Sequence, residues 1–196
     1  NQLVSKKNKI YATYFKKKLF KKYNKVKYFK GNLQNYNFCR EITRNIDTVY
    51  MCAAFTAGAR IIEKNSLDFI HINTEINLNI LKACKENKVR NFIFLSSSVV
   101  YPNTSKFMKE DDVNYSFYFK YNSVAWMKIY IERVCEIYKE FMNILIVRPG
   151  NLYGPFDKFD DEQSKVIPSL IKKFDSNKEV EVLGDGKDVK NFMYIE

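Results

Sequence analysis

Glycine is scarce in this 196-residue chain: there are six, and the first is Gly31. A loop that wraps its backbone around a phosphate needs glycine, so residues 1–30 supply no such loop. Histidine is scarcer still, with His71 alone, and the four cysteines (Cys39, Cys52, Cys84 and Cys135) never fall in a Cys-x-x-Cys spacing. That excludes the usual zinc sets, and no metal site is expected. The thiols read as buried and reduced, as in the cytoplasm. His71 lies in an apolar-periodic stretch and reads as packing rather than chemistry. No run approaches the ~18 uninterrupted apolar residues of a membrane span, and lysines break the start too often for a signal-peptide core. There is no initiator Met, and both ends fall inside patterned segments, so the chain reads as a fragment.

Acid is missing from residues 1–40, which hold eleven Lys and Arg40 and carry +12; the rest carries −1, for a net charge of +11. The body is therefore electrically ordinary. The basic stretch is interleaved with Tyr11, Tyr14, Phe15, Phe20, Tyr23, Tyr28 and Phe29, a pattern that could bind phosphates and stack bases. Those aromatics are needed for strands, however. Lys, Asn, Ile, Tyr and Phe are also abundant throughout, so a nucleic acid is not the expected partner. With 46% hydrophobic and 28% charged residues the chain can bury a core.

The pattern alternates. Strands are expected at Lys9–Phe15, Val26–Phe29, Thr48–Ala53, Asn91–Leu95, Ile144–Val147 and Val180–Leu183. Helical spacing runs through Leu67–Asn87, Ser123–Phe141 and Val166–Phe174. Strands alternating with helices mean βαβ units and a parallel sheet. Continuously apolar strands mean a sheet covered on both faces. After Pro155 the segment Phe156–Gln163 turns polar and acidic, marking residues 156–196 as the start of a smaller lobe after a main domain at 1–155.

In an open parallel sheet, ligands bind beyond the carboxyl ends of the strands. Three strand ends here are unusual. Ala53-Ala54-Phe55-Thr56-Ala57-Gly58 is small enough for close backbone approach. Ser96-Ser97-Ser98-Val99-Val100-Tyr101-Pro102 has more hydroxyls than a turn needs. Arg148-Pro149-Gly150-Asn151-Leu152-Tyr153-Gly154-Pro155 closes the third.

In this order, with VYMCAAFTAGA (Val49–Ala59), DFIHINTEINLNIL (Asp68–Leu81), FIFLSSSVVYP (Phe92–Pro102), KIYIERVCEIY (Lys128–Tyr138), RPGNLYGPFDKFDDEQSKVIPSLIKKF (Arg148–Phe174) and LGDG (Leu183–Gly186), the chain resembles the extended short-chain dehydrogenase/reductases. Within the NAD-dependent epimerase/dehydratases among them it is most similar to GDP-L-fucose synthase-like nucleotide-sugar epimerase/reductases. The resemblance runs from about Val26 to Glu196. It implies an α/β fold: a Rossmann-type doubly wound parallel sheet, lacking its first strand and glycine loop, with part of a small C-terminal substrate lobe. It also implies NADP or NAD as cofactor, a nucleotide-sugar substrate, a cytoplasmic location, no membrane, and a possible homodimer through the two long helices.

The resembled enzymes use a Ser–Tyr–Lys group, in which Lys lowers the Tyr pKa and holds the nicotinamide ribose. The resemblance places the serine on Ser97. For the Tyr-x-x-x-Lys helix, Tyr121 would put Ala125 where lysine belongs. The downstream match instead fixes Lys128 as the lysine and Val124 at the tyrosine. Ser97 and Lys128 are then the catalytic candidates, with Tyr121 one helical turn before Val124. The cofactor candidates are Ala53, Ala54, Leu95, Ser96, Lys128, Pro149 and Asn151. The substrate candidates are Ser98, Asn151, Lys165 and Lys173. Two positions that carry the epimerising cysteine and histidine in fucose synthases are here Val99 and Lys165. Lys16-Lys17-Lys18 stand where an acidic residue would read a ribose hydroxyl, which suits a 2′-phosphate. Asn32 stands where an Asp near the adenine is usual.

Overall fold

The computed structural model describes residues 8–16, 22–56, 66–102, 104, 106–157, 165–176 and 191–195. Strands β1 (Ile10–Tyr14) and β2 (Val26–Lys30) form one parallel pair. Strands β3 (Thr48–Met51), β4 (Asn91–Leu95) and β5 (Asn143–Val147) form a parallel three-stranded sheet in that order. Strands β6 (Asn151–Tyr153) and β7 (Phe192–Tyr194) form a third parallel pair. The helices are α1 (Tyr36–Ile42), α2 (Ser66–Glu86), α3 (Asn122–Tyr138) and α4 (Val166–Asp175).

Parallel neighbours cannot be joined by a hairpin, and within the three-stranded sheet the crossovers carry helices. Helix α2 leads from β3 to β4 and α3 from β4 to β5, and the two helices pack on each other. The core lies between them and the sheet. Met51, Phe92 and Phe94 meet Ile76, Ile80, Leu81, Cys84, Ile131 and Cys135 there, and Phe92, Leu81, Ile131, Cys84 and Cys135 are fully buried. Burial holds the Cys84 and Cys135 thiols up at about 12 and Cys39 up at about 11.

The register aligns Tyr50, Ile93 and Leu145 across the three strands. Successive side chains on a strand face opposite ways, so this row turns away from the core. Tyr50 is 51% and Leu145 59% exposed. Among the described residues this row is the more exposed of the sheet's two faces. Two expectations are corrected. The His71 side chain is 79% exposed and lies 4.0 Å from the Glu75 carboxylate one turn on, so it is a surface residue and not packing. Cys52, just past β3, is exposed, unlike the other three thiols.

The ends of β6 and β7 are tied tightly. Gly154 has φ +154°, and a Cβ there would overlap the Ile195 carbonyl. Ile195 N–H in turn donates to the Tyr153 carbonyl at 2.9 Å. This pairing joins a strand before Pro155 to one near the chain's end, across the expected boundary of the smaller lobe. The expected strand Val180–Leu183, the turn Gly184-Asp185-Gly186 and the lysines Lys17 and Lys18 lie outside the described residues.

Candidate functional site at the ends of β4 and β5

Past Leu95 the β4 strand keeps its neighbour for a few residues more. Ser96 N–H donates to the Val147 carbonyl at 2.8 Å and Ser98 N–H to the Pro149 carbonyl at 3.0 Å. The chain then closes a 3₁₀ turn over Ser98–Val100, capped by the Ser97 hydroxyl, which accepts from Val99 N–H at 3.3 Å. Ser97 and Ser98 are half-buried. Accepting that bond leaves the Ser97 hydroxyl proton for another acceptor.

Helix α3 brings the cation. Lys128 Nζ donates to the Leu95 carbonyl at 2.7 Å and lies 4.8 Å from the centre of the Phe94 ring. Removal from water pulls its ammonium down to about 8, although the Glu132 charge one turn along works the other way. Leu95, Ser96, Ser97, Ser98, Lys128 and Pro149 therefore meet at one end of the sheet.

Glu132 belongs to the same cluster and was not among the residues singled out from the sequence. It is 4% exposed. The Ser96 hydroxyl donates to its Oε1. Arg148, the residue after β5, donates to it from one edge of the guanidinium, Nε to Oε1 at 3.1 Å and Nη2 to Oε2 at 2.7 Å. Arg148 Nη1 reaches on to the Tyr101 hydroxyl at 3.3 Å and the Glu110 carbonyl at 2.7 Å. The carboxylate beside it raises the Arg148 pKa. A single Glu among the apolar residues of an amphipathic helix carries no sequence mark of burial. The Arg in the Arg-Pro-Gly segment did carry one, since a charge directly after an apolar strand must find a partner.

The other candidates lie on other elements or at other positions of α3. Ala53 and Ala54 follow β3 and are exposed. The next residue, Phe55, is clamped by the buried Asn73 of α2, whose Oδ1 accepts from Phe55 N–H at 2.9 Å and whose Nδ2 donates to its carbonyl at 3.0 Å. Asn151 opens β6, is exposed, and donates from Nδ2 to the Asn191 carbonyl at 3.0 Å. Lys165 caps the start of α4, and Lys173 is half-buried in its last turn. Val124 is a half-buried residue packed against the core, one turn before Lys128 on α3. Tyr121 sits at the N-cap of α3, its ring 5.9 Å from that of Tyr118. The Asn32 side chain is folded back onto its own turn, Oδ1 accepting from Gln34 N–H at 3.0 Å. Among the described residues no cluster of His, Cys, Asp and Glu could hold a metal ion, and no helix is long and apolar enough to cross a membrane.

The chain is similar to known proteins. The chain is 33% identical over 155 residues to dTDP-4-dehydro-6-deoxy-D-allose reductase of a Streptomyces species, covering 77% of this chain and 48% of that protein. It is 31% identical over 166 residues to GDP-L-fucose synthase of Escherichia coli K12, covering 79% and 51%. The chain thus spans about half the length of the curated relatives it matches. The structure superposes on a GDP-L-fucose synthetase from Naegleria fowleri bound to NADP with TM-score 0.72 at 25% identity, covering 86% of this chain and 60% of that one. It shares its fold with the UDP-glucose 4-epimerase of Thermotoga maritima, with TM-score 0.78 at 18% identity, covering 88% and 56%. The fold is therefore the Rossmann-like α/β fold of these enzymes. Residues 3–196 match the NAD dependent epimerase/dehydratase family, and the chain belongs to that family.

Proposed function

We propose that this chain forms the cofactor-binding part of an NAD(P)-dependent oxidoreductase or epimerase acting on a nucleoside-diphosphate sugar, a GDP-sugar by preference, with no phenol at the usual acid/base position. The observation that carries the reading is the Lys128 ammonium held on the Leu95 carbonyl, next to Ser97, where β4 ends. The relatives named above act on dTDP- and GDP-linked sugars by their names, and that supports the substrate class.

The donor set suits the nicotinamide half of a dinucleotide. A half-desolvated ammonium and the Ser97 hydroxyl proton at a strand end match the hydroxyls of a ribose. Lys128, Leu95, Ser96, Pro149 and Asn151 would hold that half, with Ala53 and Ala54 giving the small surface along which it lies. When bound, the cofactor supplies or takes up a hydride. Ser98, Asn151, Lys165 and Lys173 would meet the sugar diphosphate, the two lysines by charge. Lysines after β1 suit NADP over NAD.

The chemistry left to the chain is proton handling. Ser97 can hydrogen-bond a reacting oxygen. Lys128 can hold a neighbouring hydroxyl as its ion. Val124 offers no exchangeable proton one turn away from Lys128, so the proton comes from Tyr121 or from a water held by Ser97. A second reading, a catalytically inactive homologue that still binds the nucleotide-sugar, rests on that same valine.

The outer face of α3 supports a homodimer: Trp126, Tyr130 and Ile137 are 49%, 50% and 64% exposed. The deciding experiment is titration of the full-length protein with NADPH, then with a GDP-4-keto-sugar. Cofactor binding followed by loss of nicotinamide absorbance supports the enzyme. Binding of the sugar nucleotide with no absorbance change supports the inactive homologue.

A further inference from the structure

Arg148 does more than neutralise Glu132. Its guanidinium makes four donor contacts on three separate pieces of chain: Nε and Nη2 on Glu132 of α3, and Nη1 on both the Tyr101 hydroxyl and the Glu110 carbonyl. The guanidinium carbon also lies 5.2 Å from the centre of the Tyr101 ring. Glu110 sits in a turn closed by Asp112, whose N–H donates to the Lys109 carbonyl at 3.1 Å and whose Oδ2 accepts from Lys109 N–H at 2.7 Å. That turn belongs to the segment leaving the serine-rich end of β4. Tyr101 is its first anchor, with its N–H on the Ser98 carbonyl at 3.1 Å.

We infer that Arg148 is a positioning residue, which fixes Tyr101 and the turn around Glu110 beside the end of β5 by joining them to Glu132. Reading that segment as a wall of the ligand site rests on the function proposed above; the attachment itself does not. The planar fork is what the geometry requires. A guanidinium presents five donors in a fixed plane. It meets both carboxylate oxygens with one edge while a third nitrogen faces the other way. An ammonium keeps the charge beside Glu132 but cannot span from the carboxylate to Tyr101 and Glu110 together. Charge and reach are therefore separable by a single substitution.

The test is Arg148→Lys in the full-length protein, read by amide hydrogen exchange and thermal unfolding without any ligand. Arg148→Met leaves Glu132 buried and charged without its guanidinium partner, and that alone can prevent folding, so lysine is the informative variant. The expected result is exchange about tenfold faster in peptides covering residues 106–118, the weight of one charge-assisted hydrogen bond, with peptides from α2 unchanged. Tyr101→Phe, which removes one of the two segment contacts, should give a smaller rise over the same peptides. Unchanged exchange at 106–118 in Arg148→Lys overturns the inference. So does an equal rise in every segment, since that would reduce Arg148 to general stability. Failure of the protein to bind a nucleotide-sugar leaves these readouts intact and counts only against the functional reading.

Discussion

Lys128 and Glu132 stand one turn apart on α3 and grip consecutive residues of the neighbouring strand end: Lys128 donates to the Leu95 carbonyl at 2.7 Å, and Glu132 accepts from the Ser96 hydroxyl. Residues four apart share a helix face, so one face of α3 sets the position of the chain just before Ser97. The two side chains are also coupled electrically, since the Glu132 charge supports the Lys128 ammonium against the cost of burial.

That coupling predicts a titration. The Lys128 amine should titrate with a midpoint of about 8, well below an ordinary lysine. Isotope-labelled reductive methylation followed by NMR would read it directly. Glu132→Gln removes the supporting charge and should move the midpoint lower still. A midpoint near 10 in the parent protein would remove the basis for treating Lys128 as desolvated.

The same shift has a consequence for stability, with a definite sign. A lysine whose folded pKa is depressed binds its proton more weakly in the folded state than in the unfolded one. Between the folded value of about 8 and the ordinary unfolded value, the unfolded chain holds more protons, so stability rises with pH there. Below that window the cost of the buried charge is fully present. Denaturant midpoints of the parent and Lys128→Met, compared across the window, should show the parent gaining on the variant as pH rises. A constant difference would contradict it.

Val124 supplies the sharpest test of the site. General acid/base help is worth ~10²–10⁴-fold in rate, and valine cannot give it. Val124→Tyr should raise any turnover of a nucleotide-sugar by a large part of that range, and Tyr121→Phe should leave it unchanged if Tyr121 only packs on Tyr118. Complete loss of activity in Tyr121→Phe would make Tyr121 the functional hydroxyl.

Asn73 should matter for the β3 end. It is 2% exposed, and its amide serves both the N–H and the carbonyl of Phe55 as well as the Phe69 carbonyl at 2.8 Å. Asn73→Ala should cost ~1–3 kcal/mol in urea unfolding. It should also loosen the Ala53-Ala54-Phe55 segment, where Phe55 stacks on Phe69 with ring centres 4.5 Å apart. Phe92→Ala, at the fully buried centre of the sheet, should cost ~3–5 kcal/mol by leaving a cavity.

How much of this was legible in the sequence depended on how far each signal reached along the chain. Strand β4 was read to its ends because NFIFL is an unbroken apolar run with a serine stop. Helices α2 and α3 were read because each repeats its apolar spacing over several turns. Helix α1 was missed: at seven residues it is too short for a period. Its one local mark is Asn35, whose side chain accepts from Phe38 N–H at 3.2 Å. Strands β6 and β7 are three residues each and exist only because they find each other. Ser97 and Lys128 became candidates through motif resemblance, and the structure brings Lys128 onto Leu95, two residues before Ser97. Glu132 did not become one, because its burial is decided by Arg148, sixteen residues further on.

The parallel strand order has a kinetic consequence. The Asn91–Thr48 side-chain contact spans 43 residues, the Asn143–Asn91 contact 52, and the Asn151–Asn191 contact between β6 and the residue before β7 spans 40. None of these pairings can form until a long intervening loop has closed, and that closure costs entropy before any contact repays it. Refolding should therefore be governed by chain topology and run in milliseconds to seconds rather than microseconds. The helices α2 and α3, whose backbone hydrogen bonds are local, would form and dissolve many times before β4 settles between its two neighbours.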